Sequence, residues 1–173
     1  MPGVFPGKGK PQVWRVLRPG MEGKRLPDVT FLDIDGNKVR ASQLEAPFVL
    51  YAYPKDDTPG CTKEGCGIRD AWTSFREAGL HVYGVSADDA ESHRRFAAKH
   101  SLPFQLLTAD EQALTRLGVW KEKSMYGRKF MGISRETFLA GPDGTVVRHY
   151  SKVKPEEHAQ QLLDDYRALV QEA

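Results

Sequence analysis

The chain has 173 residues, 40% hydrophobic and 28% charged, which fits one globular domain with a core and excludes a disordered or membrane-embedded class. The formal net charge of +2 is uneven, because residues 1–25 carry Lys8, Lys10, Arg15, Arg18, Lys24 and Arg25 against Glu22, a balance of +5 that leaves −3 on residues 26–173. No run approaches the ~18 apolar residues of a membrane span. The first twenty residues also lack the unbroken apolar stretch of a secretory signal, so a cytoplasmic protein without membrane contact is expected. The basic arm has neither a dense run of charge nor interleaved aromatics, so no nucleic-acid partner is expected either. Residues 1–25 read as a Gly/Pro-containing extension, with a short strand at "VWRVL", ahead of one domain over 26–173.

Taken in order, "VTFLDIDGNKVRA" predicts an N-terminal hairpin turning at Asp35-Gly36. "PFVLYAY", Pro47 to Tyr53, is a nearly continuous apolar run of the kind found in a strand covered on both faces. From Thr62 to about Ala78 the pattern is helical, with an apolar stripe at Ile68, Trp72 and Phe75, and Gly79 ends it. "LHVYGVS" is the next strand, and Asp88-x-x-Glu91 has the capping-box spacing that opens a helix to about Lys99. "FQLLT" is a third buried strand, after which Thr108-x-x-Glu111 caps a short helix stopped by Gly118. "TFLAGPDGTVVRHY" gives two strands across a Pro-Asp-Gly turn. Pro155, Glu156 and Glu157 start a last helix with the stripe Leu162, Leu163, Tyr166, Leu169 and Val170. This order predicts an α/β fold with a mixed central sheet and helices on both faces. In such sheets reactive groups gather beyond the carboxyl ends of central strands, and the segment after Tyr53 has that place.

That segment, "YPKDDTPGCTKEGCGIRD", holds the only two cysteines, Cys61 and Cys66. In a reducing compartment such a pair is a metal clamp or a reactive couple before it is a permanent staple. Cys61 follows Pro59-Gly60 and opens a helix, where unpaired backbone N–H groups and the helix dipole favour a thiolate. Thr58 brings a hydroxyl that can donate to the sulfur or to an oxygen beside it, while Pro54 and Pro59 stiffen the loop. If the helix runs unbroken to Cys66, the two Cα atoms lie ~8 to 9 Å apart. A disulfide needs them within ~7 Å, so the helix must unwind before the sulfurs meet. Gly65 and Gly67 make that turn the weakest part of the helix, each costing ~1 kcal/mol relative to alanine. A zinc site would need two further ligands, and His81, His93, His100, His149 and His158 read as single surface or strand residues without ligand spacing, so no metal is expected.

"PKDDTPGC" resembles the P-x-x-x-T-x-x-C signature of the peroxiredoxins. The continuation "CTKEGCGIRD" is similar to the bacterioferritin comigratory, or Q-type, branch, in which the resolving cysteine lies five residues on. "DIDGNKV", "LGVWKEKS" and "GISRETFLAGPDG" come in family order, so the resemblance runs from about Leu26 to the C-terminus. It implies a thioredoxin fold and reduction of hydrogen peroxide and organic hydroperoxides. Cys61 would be the peroxidatic nucleophile, Cys66 the resolving thiol, Pro54 and Thr58 the residues shaping the peroxide pocket, and Arg135 the family arginine. The resemblance also implies recycling by thioredoxin, no cofactor, and a monomer. A guanidinium from "SRETF" has a physical task there, to stabilise the thiolate and then the charge developing on the leaving oxygen. Two other classes remain open at this point: a general thiol-disulfide oxidoreductase, and a non-enzymatic module whose thiols hold a soft metal or sense redox state.

Overall fold

The computed structural model describes residues 20–172. The basic arm and its "VWRVL" strand therefore lie almost wholly outside the described residues. Strands β1 (Thr30–Leu32) and β2 (Lys38–Arg40) form the expected hairpin, its turn held by Asp33 Oδ1, which accepts from the amides of Asp35 and Asn37 at 2.9 Å. Strand β3 (Phe48–Ala52) is buried along its whole length. Helices α1 (Pro59–Asp70) and α2 (Trp72–Glu77) come next, then β4 (His81–Ser86), α3 (Ala90–His100), β5 (Gln105–Thr108) and α4 (Glu111–Leu117). Strands β6 (Trp120–Met125) and β7 (Arg128–Ile133) form a hairpin of their own, and β8 (Glu136–Ala140), β9 (Val146–Tyr150) and α5 (His158–Glu172) complete the chain.

Seven strands make one sheet in the order β2-β1-β5-β4-β3-β8-β9. β3, β4 and β5 are parallel, whereas β8 and β9 on one side and β1 and β2 on the other are antiparallel to their neighbours. The period of two along each strand divides the core. Phe48, Leu50 and Ala52 of β3 join Tyr83, Val85, Leu107 and Phe138 under Leu114 and Leu117 of α4. Val49 and Tyr51 point the other way, into a second cluster with Ile68, Phe75, Phe96, Leu162 and Leu163, so α1, α2, α3 and α5 cover that face. This is the expected mixed sheet between helices, in the thioredoxin-fold arrangement. At its edge, Gly23 and Lys24 exchange backbone hydrogen bonds with Val146 of β9.

Several element boundaries differ from expectation. The segment from Thr62 to Ala78 is two helices, because Ala71 leaves helical geometry at φ −100° and ψ 16°, and the first begins earlier, at Pro59. Asp88 does not cap α3 and Thr108 does not cap α4. Asp89 and Asp110 do so, accepting from the amides of Ser92 and Ala113, because each lies next to its helix in extended geometry. Residues 155–157 form turns, and α5 starts at His158 with Val170 at its exposed end. His93 and His158, read as surface or strand residues, are fully buried on helices. The β6–β7 hairpin carried no apolar alternation strong enough to be read as strands; its turn uses positive φ at both Tyr126 and Gly127.

Candidate active site

β3 lies between β4 and β8, and its carboxyl end releases the chain into the loop 53–58. Tyr53 still donates to Val85 O at 3.1 Å, and half-buried Pro54 then turns the chain out of the sheet. Side chains of α3 anchor this loop. Asp56 accepts from Tyr53 Oη at 2.6 Å and from Ser92 Oγ at 2.8 Å, and meets His93 Nδ1 at 2.8 Å. His93 Nε2 faces Leu107 O at 3.1 Å, so both of its ring nitrogens are engaged. Asp57, at φ 59°, is held by Lys99 Nζ at 2.8 Å and lies 3.1 Å from His100 Nε2. Ligand-type atoms of Asp56, Asp88 and His93 come within 4.8 Å of one another, but the hydrogen bonds to Asp56 and His93 make this a latch that ties the loop to α3.

Thr58 is the N-cap of α1 in extended geometry, with Pro59 in the first helical position. Its hydroxyl was read as able to donate to the sulfur or to an oxygen beside it. It donates instead to Lys55 O at 2.9 Å, which leaves its oxygen lone pairs open to an incoming donor. Cys61 is buried in the first turn of the helix, and Arg135 Nη2 donates to its Sγ at 3.2 Å. Arg135 reaches it because Glu136, the next residue, pairs with Ala52, which sets the guanidinium just beyond the carboxyl end of β3. Gly60 permits the approach, since a Cβ there would stand 2.9 Å from Arg135 Nη2.

The other half of the guanidinium is also committed. Arg135 Nη1 donates to Glu64 Oε1 at 2.6 Å. Glu64 lies three residues after Cys61 on the same helix face, fully buried, and its Oε2 has no partner among the described residues. Burial pushes its carboxyl up to about 7 against the opposing pull of Arg135. Tyr51 lines the floor, its buried phenol held well above its ordinary pKa by burial first and by the charge of Glu64 next. Lys123, on β6, is held below its ordinary value by burial and by Arg135, with Cys61 acting the other way, which sets this hairpin beside the thiol pocket. Behind Arg135, His158 is buried between Gln161 Oε1 at 3.0 Å and Thr137 Oγ1 at 2.8 Å, and burial brings its ring down to about 4.

Cys66 is half-buried on the same uninterrupted helix, and both cysteines are free thiols. The structure thus brings together Cys61 and Arg135, places Thr58 at the N-cap of the same helix and Pro54 in the loop leading to it, and keeps Cys66 about one and a half turns further along. Glu64, absent from the residues singled out in the sequence, joins them. Its signal was the i, i+3 spacing from Cys61, which puts an acid on the same face as a thiol that attracts an arginine.

Comparison with known proteins agrees with this architecture. Residues 23–149 match the AhpC/TSA family. A protein named peroxiredoxin Bcp from Bacillus subtilis is 42% identical over 143 residues, covering 82% of this chain and 91% of the relative. The bacterioferritin comigratory protein of Xanthomonas campestris, solved in a study of its alkyl peroxide reduction, superposes with a TM-score of 0.75 at 38% identity over 83% of this chain and 96% of that one. A cysteine-to-serine mutant of X. campestris peroxiredoxin Q gives 0.77 at 38% identity, covering 86% and 99%. The two cysteines replaced in that protein's solved variants lie much farther apart in sequence than the five positions here. With sequence likeness running through nearly the full length of these relatives and the same sheet and helices beneath it, the chain belongs to the AhpC/TSA family, among the Bcp and Q-type peroxiredoxins.

Proposed function

We propose that this protein is a thiol-dependent peroxidase in which Cys61 attacks the peroxide and Cys66 resolves the product. The observation that carries the assignment is the Arg135 guanidinium bridging Cys61 Sγ at 3.2 Å and Glu64 Oε1 at 2.6 Å in a pocket at a helix amino terminus. The thiolate is the nucleophilic form of a cysteine, and the cation held against this sulfur faces the oxygen that gains charge as the O–O bond breaks. The thiolate attacks the nearer peroxide oxygen. An S–O bond forms, the O–O electron pair leaves on the far oxygen, and that oxygen takes up a proton as water or alcohol. Sulfur is oxidised by two electrons to a sulfenic acid and the peroxide is reduced by two. Thr58 accepts a hydrogen bond from the peroxide hydroxyl, and Pro54 shields the pocket. Cys66 then condenses with the sulfenic acid, releasing water and forming the disulfide, which a thioredoxin-type dithiol reduces by exchange.

Every group in this scheme comes from one chain, which supports a monomer as the working species. No helix among the described residues is long and apolar enough to cross a membrane, and a cycle fed by a dithiol protein suits the reducing cytoplasm. A general thiol-disulfide oxidoreductase gives Arg135 and Glu64 no comparable task. The test is peroxide consumption by wild type, Cys61→Ser and Cys66→Ser, in single turnover and with thioredoxin, its reductase and NADPH. Cys61→Ser should be inactive in both formats, whereas Cys66→Ser should consume about one equivalent of peroxide and then stall with thioredoxin. Substantial turnover by Cys61→Ser removes the nucleophile assignment, and a Cys66→Ser protein dead in single turnover removes the division of roles.

A further inference from the structure

The β6–β7 hairpin stands outside the main sheet and carries the densest exposed apolar surface of the described residues: Met125 is 58% exposed, Tyr126 96%, Phe130 44% and Met131 52%. Its register sorts the two faces. Trp120 pairs with Ile133, and both pack on the core beneath α4. Lys123 pairs with Phe130 and Met125 with Arg128, so these four share the opposite face, with Tyr126 at the tip. That face adjoins the active site: Lys123 is half-buried on it, and only Ser134 separates the end of β7 from Arg135. Charge is concentrated here as well. Lys121, Lys123, Arg128 and Lys129 against Glu122 give +3 on a domain whose residues 26–173 total −3. Arg128 has no carboxylate partner among the described residues, while Lys121 and Lys129 are paired with Glu136 and Glu122.

We infer that this face, with Met125, Phe130 and Tyr126 as apolar anchors and Arg128 as the charged rim, is the docking surface for the reductant: an acidic dithiol protein that presents an apolar border around its own thiol. The inference rests on the peroxidase reading, because only a cycle that ends in a protein disulfide requires such a visitor. An apolar centre with a polar rim is the anatomy of a transient interface, and complementary charge raises its encounter rate. The surface adjoins the pocket in which the disulfide must be attacked. The basic N-terminal arm is disfavoured as its occupant, since it would set +5 against +3. In the docked complex the reductant's thiolate attacks one sulfur of the Cys61–Cys66 disulfide, a mixed disulfide forms, and its second thiol releases both cysteines reduced.

The experiment compares wild type with Met125→Ser/Phe130→Ser and with Arg128→Glu, all exposed positions, using two reductants in parallel: a purified bacterial thioredoxin with its reductase and NADPH, and dithiothreitol. Each variant should raise the KM for thioredoxin by about tenfold, the loss expected when two apolar anchors or one rim charge are removed. Turnover with dithiothreitol and the single-turnover peroxide rate should stay within about twofold of wild type. Added salt should raise the thioredoxin KM of wild type more than that of Arg128→Glu. A thioredoxin KM unchanged in both variants overturns the inference, as does a wild type served by dithiothreitol but not by thioredoxin. A wild-type dimer in sedimentation that the hairpin variants dissociate overturns it in favour of a second copy of this chain. A wild type that turns over peroxide with neither reductant removes the peroxidase reading itself, and the docking with it.

Discussion

Arg135 serves two partners with one planar fork, so its replacements separate charge from shape. Arg135→Lys keeps a cation but cannot donate to Glu64 and Cys61 together, and the peroxide attack rate should fall at least tenfold, equivalent to ~1.4 kcal/mol of lost charge stabilisation. Stopped-flow attack at an unchanged rate would reduce Arg135 to a structural ion pair. Glu64 tests how the fork is aimed. Glu64→Gln retains an acceptor for Arg135 Nη1 and should stay within about threefold of wild type, whereas Glu64→Ala removes it and should match the loss in Arg135→Lys. Equal rates in wild type, Glu64→Gln and Glu64→Ala would show that the aim of Arg135 does not matter. Glu64 was hidden in the sequence because an acid on a helix is ordinarily solvated, and only the arrival of Arg135 from 71 residues away gives its burial a reason. His158 was hidden in the same way. Its folded value of about 4 lies below the ordinary 6.5, so the unfolded chain takes up a proton that the folded protein refuses. The stability it contributes is therefore whole above pH 6.5 and declines as pH falls towards 4, by ~3 kcal/mol in all. Urea unfolding should show His158→Gln losing correspondingly less than wild type between pH 7 and pH 4.5. Parallel losses would clear His158 of this role.

Helix α1 is the element on which the cycle turns. Its helical pattern, its glycines and the spacing of its cysteines were all legible, because they depend on neighbours in the chain. Its true start at Pro59 and the break at Ala71 were not, and the caps of α3 and α4 were misplaced by one or two residues because several Asp and Thr candidates crowd each start. Because the helix is unbroken, its unwinding between the cysteines can limit disulfide formation. A Cβ on Gly65 would meet Leu102 at 3.5 Å and Tyr51 Oη at 3.7 Å, and one on Gly67 would meet Ala159 at 3.9 Å, all ordinary contacts. The Gly65→Ala/Gly67→Ala protein should therefore hold the reduced helix more firmly by ~2 kcal/mol without disturbing the pocket. Peroxide attack should be unchanged and disulfide formation slower, leaving the sulfenic acid exposed to a second peroxide. Intact-mass analysis after a peroxide pulse should find more sulfinic acid on Cys61 than in wild type. Disulfide closure at the wild-type rate, without added sulfinic acid, would show that melting of this turn does not limit resolution.

At the scale of the molecule, the two cores on opposite faces of the sheet make oxidation a one-sided event. The cluster under α4 contains no residue of α1, while the other includes Cys61 and Ile68 and continues into Leu162 and Leu163 of α5. Closing the disulfide requires α1 to unwind between the cysteines, which withdraws Cys61 from Arg135 and loosens the helix that packs against α5. The new bond closes so short a loop that it restrains the unfolded chain by only ~2 kcal/mol. That is about the burial energy of one side chain the size of Ile68, and the hydrogen bond from Arg135 to Cys61 Sγ is lost in addition. The oxidised protein should therefore be the less stable form locally, in one region only. Hydrogen exchange measured on the reduced and disulfide forms should show faster exchange across residues 59–70 and on the inner side of α5, with β1, α4 and the strands above them unchanged. Exchange rising equally on both faces would mean that the sheet transmits the change. Exchange unchanged in residues 59–70 would mean that the disulfide forms without unwinding α1, and would remove the physical reason for having glycines on both sides of Cys66.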